Sequence, residues 1–461
     1  MEFPHHIVNV VEECQISPPL GSVPTTSLPP TCFDLSYLML PPVQRLFFYE
    51  FHHSKAHFME NIFPRIKHSL SITLQHFYPL AGNLTWPQDS TIPEFFYKDG
   101  DSVTLTLAES DYDFCLLSGN QQRDASAFYP LIPTFKCTTS NEKVVPLLAL
   151  QVTLFPNKGI CIGFSIKHVV ADGRSYTHFI KSWATICRME GDILLLSDSL
   201  PTYDRSTVKH LKMKKITSNF SLMEKRGVTR DTMHNIINKR DDHHTVPVDK
   251  VRATFVLVGS DIEKLKQWIM SKETELVHLS SLVVTCAYVW VCMIKARKST
   301  LAETDVDNEV IEYLLLPADA RARLKPPLPV TYFGNCLDSA AVTAKRSDVI
   351  GEDGIVCAAK LISKTIREMD INDDTKEKNL SFYISLPRNH CVAVSSSPKF
   401  GVYETDYGWG RPKKVEFVSG ESMTISECPN IGGGLEIGLV RNKIEMDAFA
   451  SFFADSLPAF S

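Results

Sequence analysis

The stretch "SIKHVVADGRS", Ser165 to Ser175, decides how this chain is read. It closes the run "GICIGFSIK", where Ile160, Ile162, Phe164 and Ile166 alternate with Cys161, Gly163, Ser165 and Lys167. That period of two predicts a strand with one face well buried. It leads into "SYTHFIKSWATICRM", which places Tyr176, Phe179, Ile180, Trp183 and Cys187 on one helical stripe, with Ser175 as the expected N-cap. His168 to Gly173 is therefore a strand-to-helix connection, which presents a side chain at the edge of a sheet. Two readings of His168 stand at this point. It is a general base whose tautomer a carboxylate such as Asp172 fixes, or it is a satisfied, partly buried histidine beside an ordinary turn. No G-x-S-x-G elbow supplies a separate nucleophile. A catalytic His168 would therefore act directly on a substrate hydroxyl or amine.

Outward from this turn the chain interleaves strands and helices. "VVPLLALQVTLF" is strand-like and is joined to "GICIGFSIK" by Pro156-Asn157-Lys158-Gly159, a hairpin turn. "FMENIFPRIKHSLSITLQHF" has helical spacing. Further on, "VRATFVLVG" reads as a strand and "SDIEKLKQWIM" as a helix, with Ser260 and Glu263 spaced as a capping box. "KKVEFVS", "MTISEC" and "LEIGLV" are late strands, and "KIEMDAFASFFADSL" is a closing helix with Met446, Phe449, Phe452 and Phe453 on one face. A polar, weakly periodic segment from about Ser197 to Lys250 divides the chain nearly in half. The expectation is two α/β domains with mixed sheets: residues 1–196, a crossover 197–250, and residues 251–461.

Composition narrows the function. The chain has 461 residues, 44 % hydrophobic and 22 % charged, which is ordinary for a globular protein. A net charge of -5 and the lack of a Lys/Arg run with interleaved aromatics exclude a nucleic-acid partner. The longest apolar run, Ser281 to Ile294, is too short to span a bilayer and reads as a core element. The N-terminus lacks the pattern of a secretory signal, so a cytoplasmic protein without membrane association is expected. The 12 cysteines show no C-x-x-C pair and read as reduced, buried thiols; no metal site is expected.

Two further stretches carry candidate site residues. "YETDYGWGRPKK", Tyr403 to Lys414, has Asp406 leading Gly408, Trp409 and Gly410, a density of glycine that permits unusual backbone angles. "DARARLKPPLPVTYFGNC", Asp319 to Cys336, has Arg321 and Arg323, a proline-stiffened loop, then Tyr332, Phe333, Gly334, Asn335 and Cys336. Each alone suits a surface loop.

Together, His168-x-x-x-Asp172-Gly173 and Asp406-Tyr-Gly-Trp-Gly410 stand in the order and at about the separation of the two signature motifs of plant BAHD acyl-CoA-dependent acyltransferases. The resemblance spans nearly the whole chain and includes "ISPPLGSVPTTSLPPTCFDL", "HSLSITLQHFYPLAGNL", "PTYDRS" and "VTCAYVWVC". "YFGNC" resembles the mark of the subgroup that acylates sugars of anthocyanins, flavonoids and phenolic glucosides, and "AESDYDF" and "PVDKVRATF" look closest to its malonyltransferases.

The resemblance implies two chloramphenicol-acetyltransferase-like domains with an active-site tunnel between them. It implies acyl-CoA, malonyl-CoA first, as co-substrate with no tightly bound cofactor, a glycosylated phenolic acceptor, and a monomer. His168 matches the general base, and Asp172 matches a loop-shaping residue that points away toward an arginine. The Asp406 motif matches a structural element supporting the CoA side, with Asp406 expected to pair with Arg321 or Arg323. Tyr407 stands where the family has Phe. Arg174 is the basic candidate for a malonyl carboxylate, or a solvated surface arginine; the neighbouring aromatic Tyr176 would suit a hydroxycinnamoyl group instead. A CoA-binding basic patch is expected from Arg252, Lys413 and Lys414, with Ser280 and Ser281 as hydroxyl contacts.

Overall fold

The computed structural model describes residues 7–87, 90, 92–136, 144–208, 249–273, 279–300, 309–369 and 386–456. Most of the expected crossover, and the polar stretch after Arg367 from residue 370 to 379, lie outside the described residues.

Two large mixed sheets carry the molecule. The first has the strand order Val8–Ile16, Val103–Ser110, Leu148–Phe155, Gly159–Ile166, Val43–Glu50, Lys414–Phe417. Its pairs are antiparallel except Val103–Ser110 with Leu148–Phe155. The second has the order Leu337–Lys345, Ile311–Asp319, Cys391–Ser395, Met423–Glu427, Leu435–Asn442, Lys250–Leu257, Arg123–Asp124. Cys391–Ser395 is parallel to both of its neighbours. Each sheet thus takes one edge strand from the other half of the sequence: Lys414–Phe417 completes the first, Arg123–Asp124 the second.

The expected hairpin forms. Asn157 takes the left-handed conformation at φ 58°, which asparagine tolerates, and Lys158 N–H donates to Phe155 O at 3.0 Å. The strand before it is shorter than the apolar run suggests. Val145–Pro146 belongs to a small separate sheet, because proline offers no N–H to continue a ladder. Strand Gly159–Ile166 is buried on both faces, not one. Ile160, Ile162, Phe164 and Ile166 pack on helices Phe63–His76 and Gly173–Arg188. The Cys161, Gly163, Ser165 face is covered by the 3-10 segment Ala125–Leu131 and the residues after it, and Ser165 Oγ donates to Pro133 O at 2.8 Å.

A second core lies between the second sheet and helices Gly259–Lys272, Ser281–Thr300, Gly354–Arg367 and Lys443–Asp455. The apolar run at 281–294 is the central helix of that core, buried on nearly all sides. In the closing helix Met446, Phe449 and Phe453 are buried, as their spacing predicts. The capping box at Ser260 does not form: the helix starts at Gly259, and Glu263 pairs with Lys266 at 2.6 Å. Every described cysteine is a free thiol.

Candidate active site

His168 follows the last residue of strand Gly159–Ile166 by two positions, and helix Gly173–Arg188 begins five residues after it. The helix is capped by Asp172, whose Oδ1 accepts from Ser175 N–H at 3.0 Å; Ser175 is not the cap. The Ser175 hydroxyl serves a longer-range purpose, bridging to Gly334 O at 2.8 Å.

Asp172 is fully buried, and its carboxylate is saturated. Arg321 donates to it from Nη1 at 2.8 Å and Nη2 at 3.1 Å, and Cys336 N–H donates to Oδ2 at 3.0 Å. Arg321 Nη1 also reaches Asp319 Oδ1 at 3.1 Å. Arg321 is thus the partner of Asp172, not of Asp406, and Arg323 instead lies 3.4 Å from Met369 O. The reason is placement: Asp319 and Arg321 sit at the end of strand Ile311–Asp319, directly against the first turn of the helix that Asp172 caps.

A second buried carboxylate, Asp34, mirrors Asp172. It accepts from Thr31 N–H at 2.7 Å, Arg205 Nη1 at 2.7 Å, Asn335 N–H at 2.8 Å and Asn335 Nδ2 at 3.1 Å. Between these two carboxylates the 332–336 loop is clamped. Tyr332 is buried beneath the Arg321 guanidinium, and Phe333 packs edge-on against Phe77. Gly334 O accepts from Arg321 Nη2 at 3.1 Å. Asn335 Nδ2 donates to His168 O at 2.9 Å and Val169 O at 3.1 Å, tying the loop to the backbone of the histidine itself. Burial pushes the Cys336 thiol up to about 12, so it is inert.

His168 is held face to face with Tyr37, ring centroids 4.1 Å apart and 9° from parallel. Burial pushes the imidazole below its ordinary value; its own carbonyl, Asp172, Asn335 and Asp34 pull the other way without offsetting that. A neutral imidazole is the form that can accept a proton. Gly173 is required by close approach, since a Cβ there would lie 2.7 Å from the Phe400 ring.

Sequence reasoning did not single out Asp34, Tyr37, Arg205 or Asp319. Thr31-x-x-Asp34 before an apolar residue was a readable signal, and it does form a capping box on Cys32–Leu35.

The Asp406 motif builds a turn. Asp406 Oδ1 accepts from Gly408 N–H at 2.8 Å and Gly410 N–H at 3.0 Å, and both glycines adopt positive φ, 109° and 106°, which only glycine takes freely. Its nearest cation is Arg188, at 3.9 Å. Tyr407 is buried edge-on against Trp183 and stacked on Trp409.

The expected CoA patch is corrected in part. Arg252 is buried against Glu416 at 3.4 Å and Lys414 against Glu436 at 3.0 Å, where the exchanged strands meet. Arg123 shares Glu416 at 2.8 Å. Burial alone would favour the neutral acid, but Arg123, Lys414 and Arg252 hold Glu416 below the usual carboxylate range. These cations close the seam between the halves and do not form an exposed patch. Lys413 is part-exposed and pairs with Glu50 at 2.7 Å. Ser280 Oγ lies 3.3 Å from Val283 N–H as a helix cap, and Ser281 opens that helix. Arg174 Nε pairs with Asp319 at 2.5 Å, both about one-third exposed. Tyr176 is in the core under the Arg45 guanidinium.

The sequence matches the profile of the Transferase family over residues 8–455. The chain belongs to this family, that of the BAHD acyltransferases. It is an acyltransferase. It is 37 % identical over 98 % of its length to phenolic glucoside malonyltransferase 1 of Nicotiana tabacum, covering 99 % of that protein. It is likewise 37 % identical to a malonyl-coenzyme A:anthocyanin 3-O-glucoside-6''-O-malonyltransferase of Dahlia pinnata, covering 98 % of this chain and 97 % of that protein. A coumaroyl-CoA:anthocyanidin 3-O-glucoside-6''-O-coumaroyltransferase of Arabidopsis thaliana is 34 % identical, with 98 % of each covered. In fold the BAHD chain is similar to vinorine synthase, with a TM-score of 0.67 at 19 % identity and 96 % of each chain covered. The two-domain α/β architecture expected from the motifs is the one found. Among the described residues, no helix is long and apolar enough to cross a membrane, and no group of three His, Cys, Asp or Glu side chains could hold a metal.

Proposed function

We propose that this protein transfers a malonyl group from malonyl-CoA to a sugar hydroxyl of a flavonoid or other phenolic glucoside, with His168 as the general base. The observation that carries this reading is a part-buried histidine whose surroundings favour the neutral imidazole, anchored through its backbone to Asn335, at a strand end between the two halves of the chain. The malonyltransferase relatives, at 37 % identity over nearly the full length, support the donor and acceptor classes.

In the reaction, the imidazole takes the proton of the acceptor hydroxyl. The oxygen forms a bond to the thioester carbonyl carbon, giving a tetrahedral intermediate. Its collapse breaks the carbon–sulfur bond, and the imidazolium returns the proton to the departing thiolate. The thioester is already activated, so the residues supply positioning and proton transfer. Asp172 and Arg321 brace the turn, and the Asp406 turn supports the first sheet away from the reacting atoms. Arg174 is the group proposed to meet the donor carboxylate, exchanging Asp319 for it; Arg guanidinium binds carboxylates bidentately. CoA is met by Lys413, Ser280 and Ser281. The domains divide at residues 197–250, and the enzyme works as a cytoplasmic monomer.

Hydroxycinnamoyl transfer to the same acceptors is the second reading, favoured by the coumaroyltransferase relatives at 34 % identity. Mass spectrometry of products formed from competing malonyl-CoA and coumaroyl-CoA on a panel of glucosides decides between them. Malonylated glucosides are expected; exclusive coumaroylation overturns the malonyl reading.

A further inference from the structure

The base has no carboxylate of its own. Asp172 is taken by Arg321, Ser175 N–H and Cys336 N–H, and Asp34 by Arg205, Thr31 and Asn335. These are the charged groups that face the imidazole, and both are neutralised by arginine. The buried Nδ1 of His168 completes no hydrogen bond among the described residues. What does engage the imidazole ring is the face of Tyr37, parallel at 4.1 Å.

Tyr37 is not placed there casually. Its N–H donates to Asp34 O at 3.0 Å, and it leaves a helical turn, Cys32–Leu35, that the Asp34 carboxylate fixes through its capping box. The same carboxylate fixes Asn335, which holds His168 O. One buried group therefore sets both the backbone and the ring plane of the histidine.

We infer that Tyr37 is a positioning residue for the acyl transfer: its ring face orients the imidazole of His168 and steadies the positive charge carried between accepting the acceptor proton and returning it to the thiolate. A cation within about 6 Å of an aromatic centroid is attracted by the ring quadrupole, the more so when desolvated. The inference rests on the reading of His168 as base.

The test is kcat/KM against pH for Tyr37→Leu, Tyr37→Phe and Tyr37→Trp, with unfolding midpoints as a fold control. Leucine keeps bulk and burial but removes the ring face. Its loss disfavours the imidazolium, so the acid limb should move down by about one pH unit and the plateau should fall about tenfold. Phenylalanine and tryptophan keep a ring face and should restore the limb and most of the rate. A leucine variant with an unmoved limb, or ring-bearing variants as impaired as leucine, would overturn the inference. If leucine prevents folding, the same comparison is made with Tyr37→Met. Full activity in His168→Ala would instead sink the functional reading itself, so the two failures are distinguishable.

Discussion

Arg321 closes on Asp172 through two hydrogen bonds, 2.8 and 3.1 Å, at a carboxylate that is fully buried. That pair makes the acidic position of the H-x-x-x-D motif a brace and not a catalytic partner. It joins the first turn of a helix in one half of the chain to a strand end in the other, and it also holds Cys336 N–H. A carboxylate so occupied has nothing left to orient an imidazole.

Asp172→Ala should therefore act first on stability. Removing one member of a buried, hydrogen-bonded ion pair costs roughly 3–5 kcal/mol. The denaturant midpoint should fall accordingly, and Asp172→Ala combined with Arg321→Met should recover part of the loss. A variant that loses activity with an unchanged midpoint would return Asp172 to the role of a triad partner.

His168→Ala should lower kcat/KM by about 10²–10⁴-fold with little change in the unfolding midpoint. The pH profile carries a sign. The base must be neutral, and burial depresses its pKa, so on acidification the rate should hold until below about 6.5. A limb above that value, measured in the wild-type enzyme, would contradict the burial argument.

Tyr407→Phe should stabilise the protein. The Tyr407 hydroxyl is buried and has no hydrogen-bond partner among the described residues, while the ring is packed against Trp183, Tyr49 and Trp409. An unsatisfied buried hydroxyl costs about 1–3 kcal/mol, and phenylalanine removes it while keeping the ring. A raised unfolding midpoint with unchanged kcat/KM is the expected result.

Asp406→Ala should cost less than a broken ion pair would. Its carboxylate is bound to two backbone N–H groups, and its nearest cation is 3.9 Å away and partly exposed. About 1–2 kcal/mol is expected from the lost turn bonds. Thermal or chemical unfolding measures it, and a loss as large as that of Asp172→Ala would show a buried pairing instead.

Arg174→Gln should raise KM for malonyl-CoA about tenfold relative to coumaroyl-CoA. The Arg174–Asp319 pair is part-exposed, so giving it up for a ligand carboxylate costs no more than about 1 kcal/mol. Equal effects on the two donors would show that Arg174 serves Asp319 alone.

The amino-acid sequence by itself determined the strand at Gly159–Ile166, the turn after it and the helix stripe beyond, because apolar periodicity is a local property that burial merely fulfils. It also determined the family, because three separated motifs keep their order. Local pattern did not fix which partner a charge chooses. The family resemblance implied a pairing of Asp406 with Arg321 or Arg323, yet the strand end that carries Arg321 abuts the cap of helix Gly173–Arg188, so Arg321 went to Asp172. Arg252 and Lys414 looked like surface cations, but they lie on strands at the seam where each sheet takes an edge from the other half. Asp34 was legible only as a helix cap and Tyr37 not at all, for the same reason. They reach His168 only when a turn more than a hundred residues upstream and a loop more than a hundred residues downstream are folded onto the same strand end, and tertiary packing alone makes that meeting.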